Sequence, residues 1–205
     1  IFRELGADYI IEGGQTMNPS TEDMLAAIDA VNAEHIFILP NNKNIIMAAN
    51  QAAELVEDKK IVVIPSKSVP QCISAMVEFN DKKSAEANEK AMNKAIGRVT
   101  SGQLTYAVRD TEIDGIEIKK DDILGMVEGK IVTVGKDIDD VLNRVVSQMV
   151  DEDTEFLNVY YGKEIKKPQA DVMLRALETK YADDEIEVSF KKGGQPLYYY
   201  IISAE

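Results

Sequence analysis

The sequence predicts an α/β protein in two lobes: a parallel-sheet first lobe, residues 1–100, and an α+β second lobe with a mixed sheet, residues 101–205. In the first lobe, short continuous apolar runs alternate with helical patterns, which is typical of strand–helix–strand units. After Ser101-Gly102 the pattern changes to short alternating segments separated by tight-turn signals, which favours antiparallel strands. We place the boundary between the lobes near residues 99–102.

Three apolar runs in the first lobe, residues 9–11, 36–39 and 61–64, are predicted to be buried parallel strands. Ser20 is expected to cap the first helix, with Asp23 completing a reciprocal capping box. Further helices are predicted after residues 40–44, where an asparagine can cap, from Pro70 to about residue 79, and from about residue 84 to 99.

The second lobe is predicted to contain hairpins, two helices and a C-terminal strand. The expected strands are residues 105–108, 113–118 with a turn at Asp114-Gly115, 123–127 and 130–134 around Glu128-Gly129, 156–161, 186–190 and 197–203. Asp137 is expected to cap a helix that buries Val141, Leu142, Val145, Val146 and Met149, and Pro168 to lead another. In the last strand, alternation predicts that Tyr199 is buried and that Tyr198 and Tyr200 are exposed.

Composition limits the function classes. The net charge of −13 argues against general nucleic-acid binding, which needs a basic surface, and its simplest consequence is solubility. The single cysteine, Cys72, excludes an internal disulfide and fits a reducing compartment. No stretch approaches the ~20 apolar residues of a membrane span, and no signal peptide is evident, so we expect a cytoplasmic location. Because the chain begins at Ile1 without an initiator methionine, we expect it to be part of a longer protein.

Polar residues follow each of the three predicted parallel strands. They are Gly13, Gly14, Gln15, Thr16 and Asn18 after the first, Asn41, Asn42 and Lys43 after the second, and Ser66, Lys67 and Ser68 after the third. Parallel strands bring such loops to one sheet edge beside helix N-termini, which favours a pocket for a carboxylate or phosphate. Alternatively, the asparagines, serines and threonine are helix caps and the lysines are solvated.

A second Gly-Gly-Gln, at Gly193, Gly194 and Gln195, precedes the last predicted strand. We expect it to face the same cleft as the first. Arg109 is the best single anion-binding arginine by its place after a strand, although it could equally pair with Asp110 or Glu112.

Other motifs are weak. Neither a phosphate-binding P-loop nor Gly-x-Gly-x-x-Gly is present, so nothing in the sequence argues for nucleotide binding. Residues 110–121 half-match a calcium loop, but their alternating flanks favour a hairpin instead. His35 has no companions that would make a metal site or a triad, and Cys72 is expected to be a small buried side chain.

Five motifs carry a resemblance to a known family: EGGQTMNPST (12–21), LPNNKN (39–44), IPSKS (64–68), YAVRDT (106–111) and GGQPL (193–197). They resemble the C-terminal region of the bacterial, dihydroxyacetone kinase-related fatty acid kinase catalytic subunit (FakA-like), over essentially the whole chain. The resemblance implies a DegV-like fold. It also implies that ATP and magnesium bind to an N-terminal kinase domain outside this segment, which leaves this segment without a cofactor or a catalytic residue of its own.

The resemblance further implies two partners, the protein's own N-terminal kinase domain and a DegV-like fatty-acid carrier protein that the C-terminal region docks. An alternative is that the segment is itself a DegV-like module for a fatty acid or a small anion. In DegV-like carriers a Thr-Ser-Gln-Pro-Ser-like loop follows an early strand, and QTMNPS (15–20) is similar to an altered form of it. Carriers also have a histidine near a C-terminal Gly-Pro-Gly turn, which GGQP (193–196) lacks, and this difference favours docking over acyl binding. A stand-alone enzyme is a third hypothesis, although no acid–base pair or nucleophile stands out by spacing.

Overall fold

The computed structural model describes residues 1–13, 18–113 and 115–205, which form two compact units, Ile1–Arg98 and Val99–Glu205. The units divide next to the boundary expected from the sequence. Within the described residues, no helix is both long and apolar enough to cross a membrane.

The first unit alternates helices and strands. Its elements are α1 (Thr21–Ala30), β1 (His35–Ile38), α2 (Lys43–Leu55), β2 (Lys60–Val63), α3 (Val69–Glu78) and α4 (Ala85–Ile96). β1 and β2 pair in parallel, with His35 opposite Lys60 and Ile38 opposite Val63. The predicted parallel arrangement of these two strands is therefore confirmed.

The predicted helix starts in this unit are also confirmed. The side chain of Ser20 accepts a hydrogen bond from the backbone of Asp23, whose carboxylate accepts one in return from the backbone of Ser20. Asn42 caps α2 by accepting a hydrogen bond from the Asn44 backbone at 2.9 Å. Pro70 lies in the first turn of α3, where its missing N–H costs nothing.

Both faces of this sheet are covered, as continuous apolar strands predict. Ile36 packs with Met24 and Ala49 on the α1 and α2 side. Val62 packs with Ala75, Met92 and Ile96 on the α3 and α4 side. Neighbouring residues of each strand point to opposite faces of the sheet. One face therefore packs against α1 and α2, and the other packs against α3 and α4.

The prediction of a buried strand at residues 9–11 is wrong. This segment has no strand conformation, and the Tyr9 side chain is 51% exposed. A run of three residues supplies few ladder hydrogen bonds, and Ile11 instead packs against the apolar cluster that includes Ile28. Among the described residues, β1 pairs only with β2.

The second unit is built on a six-stranded mixed sheet of order β7-β6-β3-β10-β8-β9. Its elements are β3 (Thr100–Tyr106), β4 (Thr111–Ile113), β5 (Ile116–Ile118), β6 (Ile123–Val127), β7 (Lys130–Gly135), α5 (Ile138–Met149), β8 (Phe156–Tyr161), α6 (Lys167–Lys180), a 3-10 turn (Ala182–Asp184), β9 (Glu187–Lys192) and β10 (Tyr200–Ala204). The β8–β9 pair is parallel, whereas β3, β6, β7, β8 and β10 pair antiparallel with their other neighbours.

Local signals placed several of these elements well. Asp137 caps α5, and the five residues predicted to be buried on that helix are buried. The β6–β7 turn is confirmed, because Glu128 and Gly129 have positive φ angles of 49° and 75°. The hairpin at residues 111–118 is confirmed by the pairing of β4 with β5, although Asp114 lies outside the described residues.

Two strand predictions need correction. β3 ends at Tyr106 and begins five residues before the predicted Thr105, because its pairing with β6 and β10 extends it through the polar residues at its start. The predicted burial of Tyr199 with exposure of Tyr198 and Tyr200 is wrong. Tyr200 is completely buried, because β10 begins there, between β3 and β8, and its ring meets that of Phe190 at 6.1 Å between centroids.

Candidate functional site

The loops that follow β1 and β2 meet at one edge of the first unit. The hydroxyl of Ser66, which is completely buried, donates to the carbonyl oxygen of Pro40. The thiol of Cys72, on α3, lies 3.2 Å from the same carbonyl and 3.3 Å from the Ser66 oxygen. This cluster of Pro40, Ser66 and Cys72, here called the loop junction, fixes the two loops that carry the predicted anion-binding residues.

The polar groups at this edge divide into engaged and exposed ones. The side chains of Asn42 and Ser68 cap α2 and α3, and that of Ser66 is used inside the loop junction. The interpretation as helix caps is therefore confirmed for Asn42 and Ser68, whereas Ser66 caps no helix. The backbone N–H of Lys67 donates to the Gln71 side chain at 2.7 Å, while the Lys67 side chain is exposed.

Of the other residues predicted for the pocket, Gly13, Asn18, Asn41 and Lys43 are exposed. Gly14, Gln15 and Thr16 lie outside the described residues. An anion pocket at this edge therefore stays a prediction, and Asn41, Lys43 and Lys67 are the described groups free to contribute charge or donors to it.

The Cys72 thiol is not suited to nucleophilic chemistry. Its side chain is 2% exposed, and burial raises its pKa to about 11. Because the thiolate is the reactive form, the thiol is inert near neutral pH. The prediction that Cys72 acts as a small buried side chain is confirmed.

An apolar cavity of about 520 Å³ lies in the first unit beside β1. Its walls include Ile11 from the N-terminal segment, Ala27 from α1, Ile36 from β1, and Met76 and Met92 from α3 and α4. Its volume falls within the ~300–1,000 Å³ typical of small-molecule sites. Tyr9, Ile10 and Ile11, which have no strand conformation, are among the residues that line it.

The charged and amide side chains lining this cavity are those of Asp8, His35, Asn41, Asp81 and Lys83, which are exposed, and of Asn88, which is buried. A cavity with an apolar interior and a few polar groups at its solvent-exposed side suits an amphipathic molecule with one polar end. The sequence analysis missed this cavity because its apolar lining side chains look like ordinary core residues.

The second Gly-Gly-Gln is anchored within the second unit. The Gln195 amide donates to the carbonyl oxygen of Tyr160 at 2.8 Å, and the backbone N–H groups of Gly193 and Gly194 both lie 3.0 Å from the Tyr161 carbonyl oxygen. A side chain at position 193 would meet the Gln195 carboxamide oxygen at 2.0 Å. This turn therefore fastens the end of β9 to the end of β8, and a cleft shared with the first Gly-Gly-Gln stays a prediction.

Arg109 is exposed between β3 and β4. The Asp110 carboxylate, a possible partner of Arg109, accepts a hydrogen bond from the backbone N–H of Lys120 at 2.7 Å. An anion-binding role of Arg109 stays a prediction. In the described ranges, no group of three or more histidine, cysteine or acidic side chains is arranged to hold a metal ion.

A second cavity, of about 340 Å³, lies in the second unit at the ends of β3 and β8. We call it the tyrosine pocket, and it is lined by Tyr106, Asp121, Lys163, Glu164, Pro196, Leu197 and Tyr199. Sequence reasoning did not assign a site here, although two of the recognised motifs, YAVRDT and GGQPL, border it.

Comparison with solved structures shows that the fold is DegV-like. The Streptococcus pneumoniae fatty acid kinase B3 protein, solved loaded with linoleic acid, superimposes with a TM-score of 0.65 at 10% identity, covering 91% of this chain and 76% of that one. A fatty-acid-binding DegV family protein from Thermus thermophilus gives a TM-score of 0.58 at 12% identity, with 91% and 77% coverage. The dihydroxyacetone kinase of C. freundii, in complex with AMP-PNP and Mg²⁺, gives 0.60 at 14% identity, with 91% and 42% coverage.

The chain belongs to the FakA-like C-terminal family, which comprises the C-terminal regions of FakA-like fatty acid kinase proteins and matches residues 1–205. It is 49% identical over 205 residues to protein YloV of Bacillus subtilis (strain 168), and 46% identical to an uncharacterized protein of Staphylococcus aureus (strain USA300). All of this chain is covered in both comparisons, but the chain spans only 36% and 37% of the lengths of those relatives.

Proposed function

We propose that this chain is the carrier-docking C-terminal region of a FakA-like fatty acid kinase subunit, with a DegV-like fatty-acid carrier protein as its partner. ATP and magnesium chemistry would reside in a separate N-terminal kinase domain. The observation that carries the proposal is a family match to the kinase subunit over residues 1–205, combined with a fold like that of the B3 protein, which was solved with a fatty acid.

One physical argument supports docking. The net charge of −13 gives the chain a long-range attraction for a partner with a basic surface.

The geometry of the loop junction supports binding over chemistry. Its hydroxyl and thiol groups, those of Ser66 and Cys72, are buried. They are hydrogen-bonded to each other and to the Pro40 carbonyl oxygen. A nucleophile needs an exposed atom and a base to activate it, whereas these groups stabilise the chain itself.

Isothermal titration of this chain with the DegV-like carrier, in its fatty-acid-loaded and unloaded forms, tests the proposal. We expect saturable binding that weakens as salt is raised from about 50 to about 500 mM, because salt screens attraction between exposed charges. Absence of binding, under conditions in which the full-length kinase subunit binds the carrier, would refute docking by this region.

The cavity in the first unit favours a second candidate function, binding of a fatty acid by the chain itself. Its apolar walls can take a hydrocarbon chain, and Lys83, His35 or Asn41 can meet a carboxylate at its exposed side. The Streptococcus pneumoniae B3 protein, which shares this fold, was solved loaded with linoleic acid, and the Thermus thermophilus DegV family protein binds fatty acid.

Native mass spectrometry of the protein incubated with oleate tests this second function. We expect a one-to-one adduct in the unmodified protein and its loss in Ala27→Phe, because the added ring enters the cavity that Ala27 lines. Ala87→Phe is the matched control, since Ala87 is exposed on α4 and does not line the cavity. A bare protein mass throughout, or an adduct that survives in Ala27→Phe, would exclude this function for the cavity.

A further inference from the structure

The tyrosine pocket has two aromatic walls. The rings of Tyr106, at the end of β3, and Tyr199, just before β10, lie 6.0 Å apart between centroids and are inclined at 54°. Both side chains are half-buried and line the pocket. Faces of aromatic rings carry negative electrostatic potential and attract cations.

Acidic groups complete the pocket. Asp121 and Glu164 are exposed and line it, and Lys163 is the single basic residue among its described lining side chains. The pKa of Tyr199 is raised by burial, and then by the nearby Tyr106, Glu164 and Asp121. A raised tyrosine pKa is the response expected where the local potential is negative, which agrees with the positions of the two carboxylates.

The carboxylates of Asp121 and Glu164 form no ion pair among the described residues. The Asp121 backbone N–H donates to the Ala107 carbonyl oxygen at 2.8 Å, and the residue is exposed and lines the pocket. Two carboxylates beside two tyrosine rings form a site that matches an ammonium or guanidinium group.

Backbone hydrogen bonds hold the walls of the pocket in place. The Tyr199 N–H donates to the Leu104 carbonyl oxygen at 2.9 Å, and the Thr105 hydroxyl donates to that of Leu197 at 2.7 Å. The N–H of Lys163 donates to the Gln195 carbonyl oxygen at 3.1 Å, which ties the segment carrying Glu164 to the Gly-Gly-Gln turn. A pre-formed pocket loses little entropy when it is filled, so even a single side chain can bind there.

Two lining residues adopt a backbone conformation that is rare for their type. Asp121 and Leu197 have positive φ angles of 67° and 68°. Aspartate tolerates this region, but for leucine it is uncommon and costs conformational energy. The turn of residues 196–199 borders the pocket, and β10 begins only at Tyr200.

We propose that the tyrosine pocket is a receptor for one lysine or arginine side chain, presented by the carrier protein when it docks. The assignment to the carrier rests on the proposed docking function. The net charge of −13 favours a basic partner, and the two acidic wall residues outnumber the single lysine of the pocket, Lys163.

A titration with n-butylammonium, which reproduces the end of a lysine side chain, tests the pocket without the carrier. The ring signals of Tyr106 and Tyr199 are followed by NMR, with 1-butanol and butyrate as the neutral and anionic probes. We expect saturable shifts of both rings with butylammonium, and no saturable shifts with the other two. Equal or stronger shifts with butyrate, or none with butylammonium, would overturn the proposal.

Variants locate the interaction. Asp121→Asn together with Glu164→Gln should raise the dissociation constant for butylammonium about three- to ten-fold, since each exposed pair contributes modestly. Asparagine preserves the conformation at position 121, because it also tolerates positive φ. Glu152→Gln, an exposed acidic residue outside the pocket, is the control and should leave the constant unchanged.

The role of the ring is tested at Tyr199. Tyr199→Phe keeps the aromatic face and should bind butylammonium nearly as well as the unmodified protein, whereas Tyr199→Leu should bind several-fold more weakly. Equal binding by the phenylalanine and leucine variants would contradict recognition by the ring.

Titration of the carrier then tests the identity of the occupant. The double variant at Asp121 and Glu164 should weaken carrier binding beyond the effect of Glu152→Gln. If carrier binding is intact in the double variant, the pocket is not filled by the carrier and that assignment is overturned. If butylammonium binds but the carrier does not bind even the unmodified chain, the proposed docking function is refuted. Cation binding by the tyrosine pocket is then still supported.

Discussion

The hydroxyl of Ser66 donates to the carbonyl oxygen of Pro40, which is 26 residues earlier in the chain. This bond joins the loops at the ends of two parallel strands, at the edge where the sequence predicted an anion pocket. A serine at this edge could have bound a ligand or stabilised the fold. In the structure Ser66 is buried, and its hydroxyl stabilises the fold.

Replacement of Ser66 by alanine should lower the free energy of unfolding by about 1–3 kcal/mol, because the buried Pro40 carbonyl oxygen loses its hydroxyl donor. Urea unfolding followed by circular dichroism measures the change. Ser147→Ala is the matched control, since Ser147 is exposed on α5, and its effect should stay within about 0.5 kcal/mol. Equal effects of the two substitutions would show that the Ser66 bond contributes no special stability.

Stability should fall with rising pH through the buried Cys72 thiol. Its folded-state pKa is raised to about 11, so the unfolded chain releases this proton at lower pH than the folded chain does. Between about pH 9 and 11 the free energy of unfolding of the unmodified protein should therefore decline relative to that of Cys72→Ala. The relative slope should be at most ~1.4 kcal/mol per pH unit.

Parallel urea titrations of the two proteins from pH 7 to pH 11 measure this difference. The buried tyrosines contribute to both proteins alike, so they cancel in the comparison. A constant difference across the whole range would show that the thiol ionises equally in the folded and unfolded states.

Gly125 should tolerate no side chain, because a Cβ atom there would lie 2.5 Å from a Val145 methyl and 2.6 Å from the Thr133 methyl. We expect Gly125→Ala to lower the free energy of unfolding by about 1–3 kcal/mol through overpacking between β6 and α5. Gly97→Ala is the control, since its Cβ would make ordinary contacts at 3.5 Å, and reduced freedom of the unfolded chain should leave stability unchanged or slightly raised. A tolerated alanine at position 125 would mean that α5 is not packed closely against the sheet.

Asp122 should stabilise the folded protein above acidic pH. Its buried carboxylate pairs with the Lys136 ammonium and accepts the Lys119 backbone N–H at 2.7 Å, and these interactions lower its pKa. Because the folded-state pKa is depressed, this stabilisation is complete above the unfolded value of about 4 and is lost as the pH falls through the folded value.

Asp122→Asn should therefore be less stable than the unmodified protein at pH 7, and the difference should narrow as the pH falls below about 4. Chemical unfolding at pH 7, 5 and 3 measures it. Glu152→Gln changes the net charge equally without removing a described ion pair, so its effect should not vary in this way. A difference for Asp122→Asn that is independent of pH would exclude the ionised carboxylate as its cause.

Local sequence signals predicted many element positions, because they depend on residues close together in the chain. The Ser20 and Asp23 box, the Asp137 cap and the apolar stripe of α5 are examples. Strand boundaries were less predictable where partners decide them. Tyr200 is buried because β3 and β8 lie on either side of it. Nothing in residues 197–203 alone specifies which of the alternating side chains face the core.

The candidate sites show the same division. The residue types at the strand ends of the first unit were predicted, but caps and ligand-binding groups use the same asparagines and serines, so their roles followed only from contacts. The tyrosine pocket escaped prediction because Asp121 and Glu164 approach Tyr199 only through the pairing of distant segments.

By itself, the sequence determined the α/β class, most helix caps, the acidic surface charge and the resemblance to a kinase subunit, because these properties reside in composition, local spacing and motifs. Only the tertiary structure decided that residues 9–11 border a cavity rather than form a strand, that Ser66 is internal, and that two tyrosines and two carboxylates share a pocket. The reason is physical. A strand's hydrogen-bond partners and a pocket's walls come from remote parts of the chain, so their assembly depends on packing that no local pattern contains.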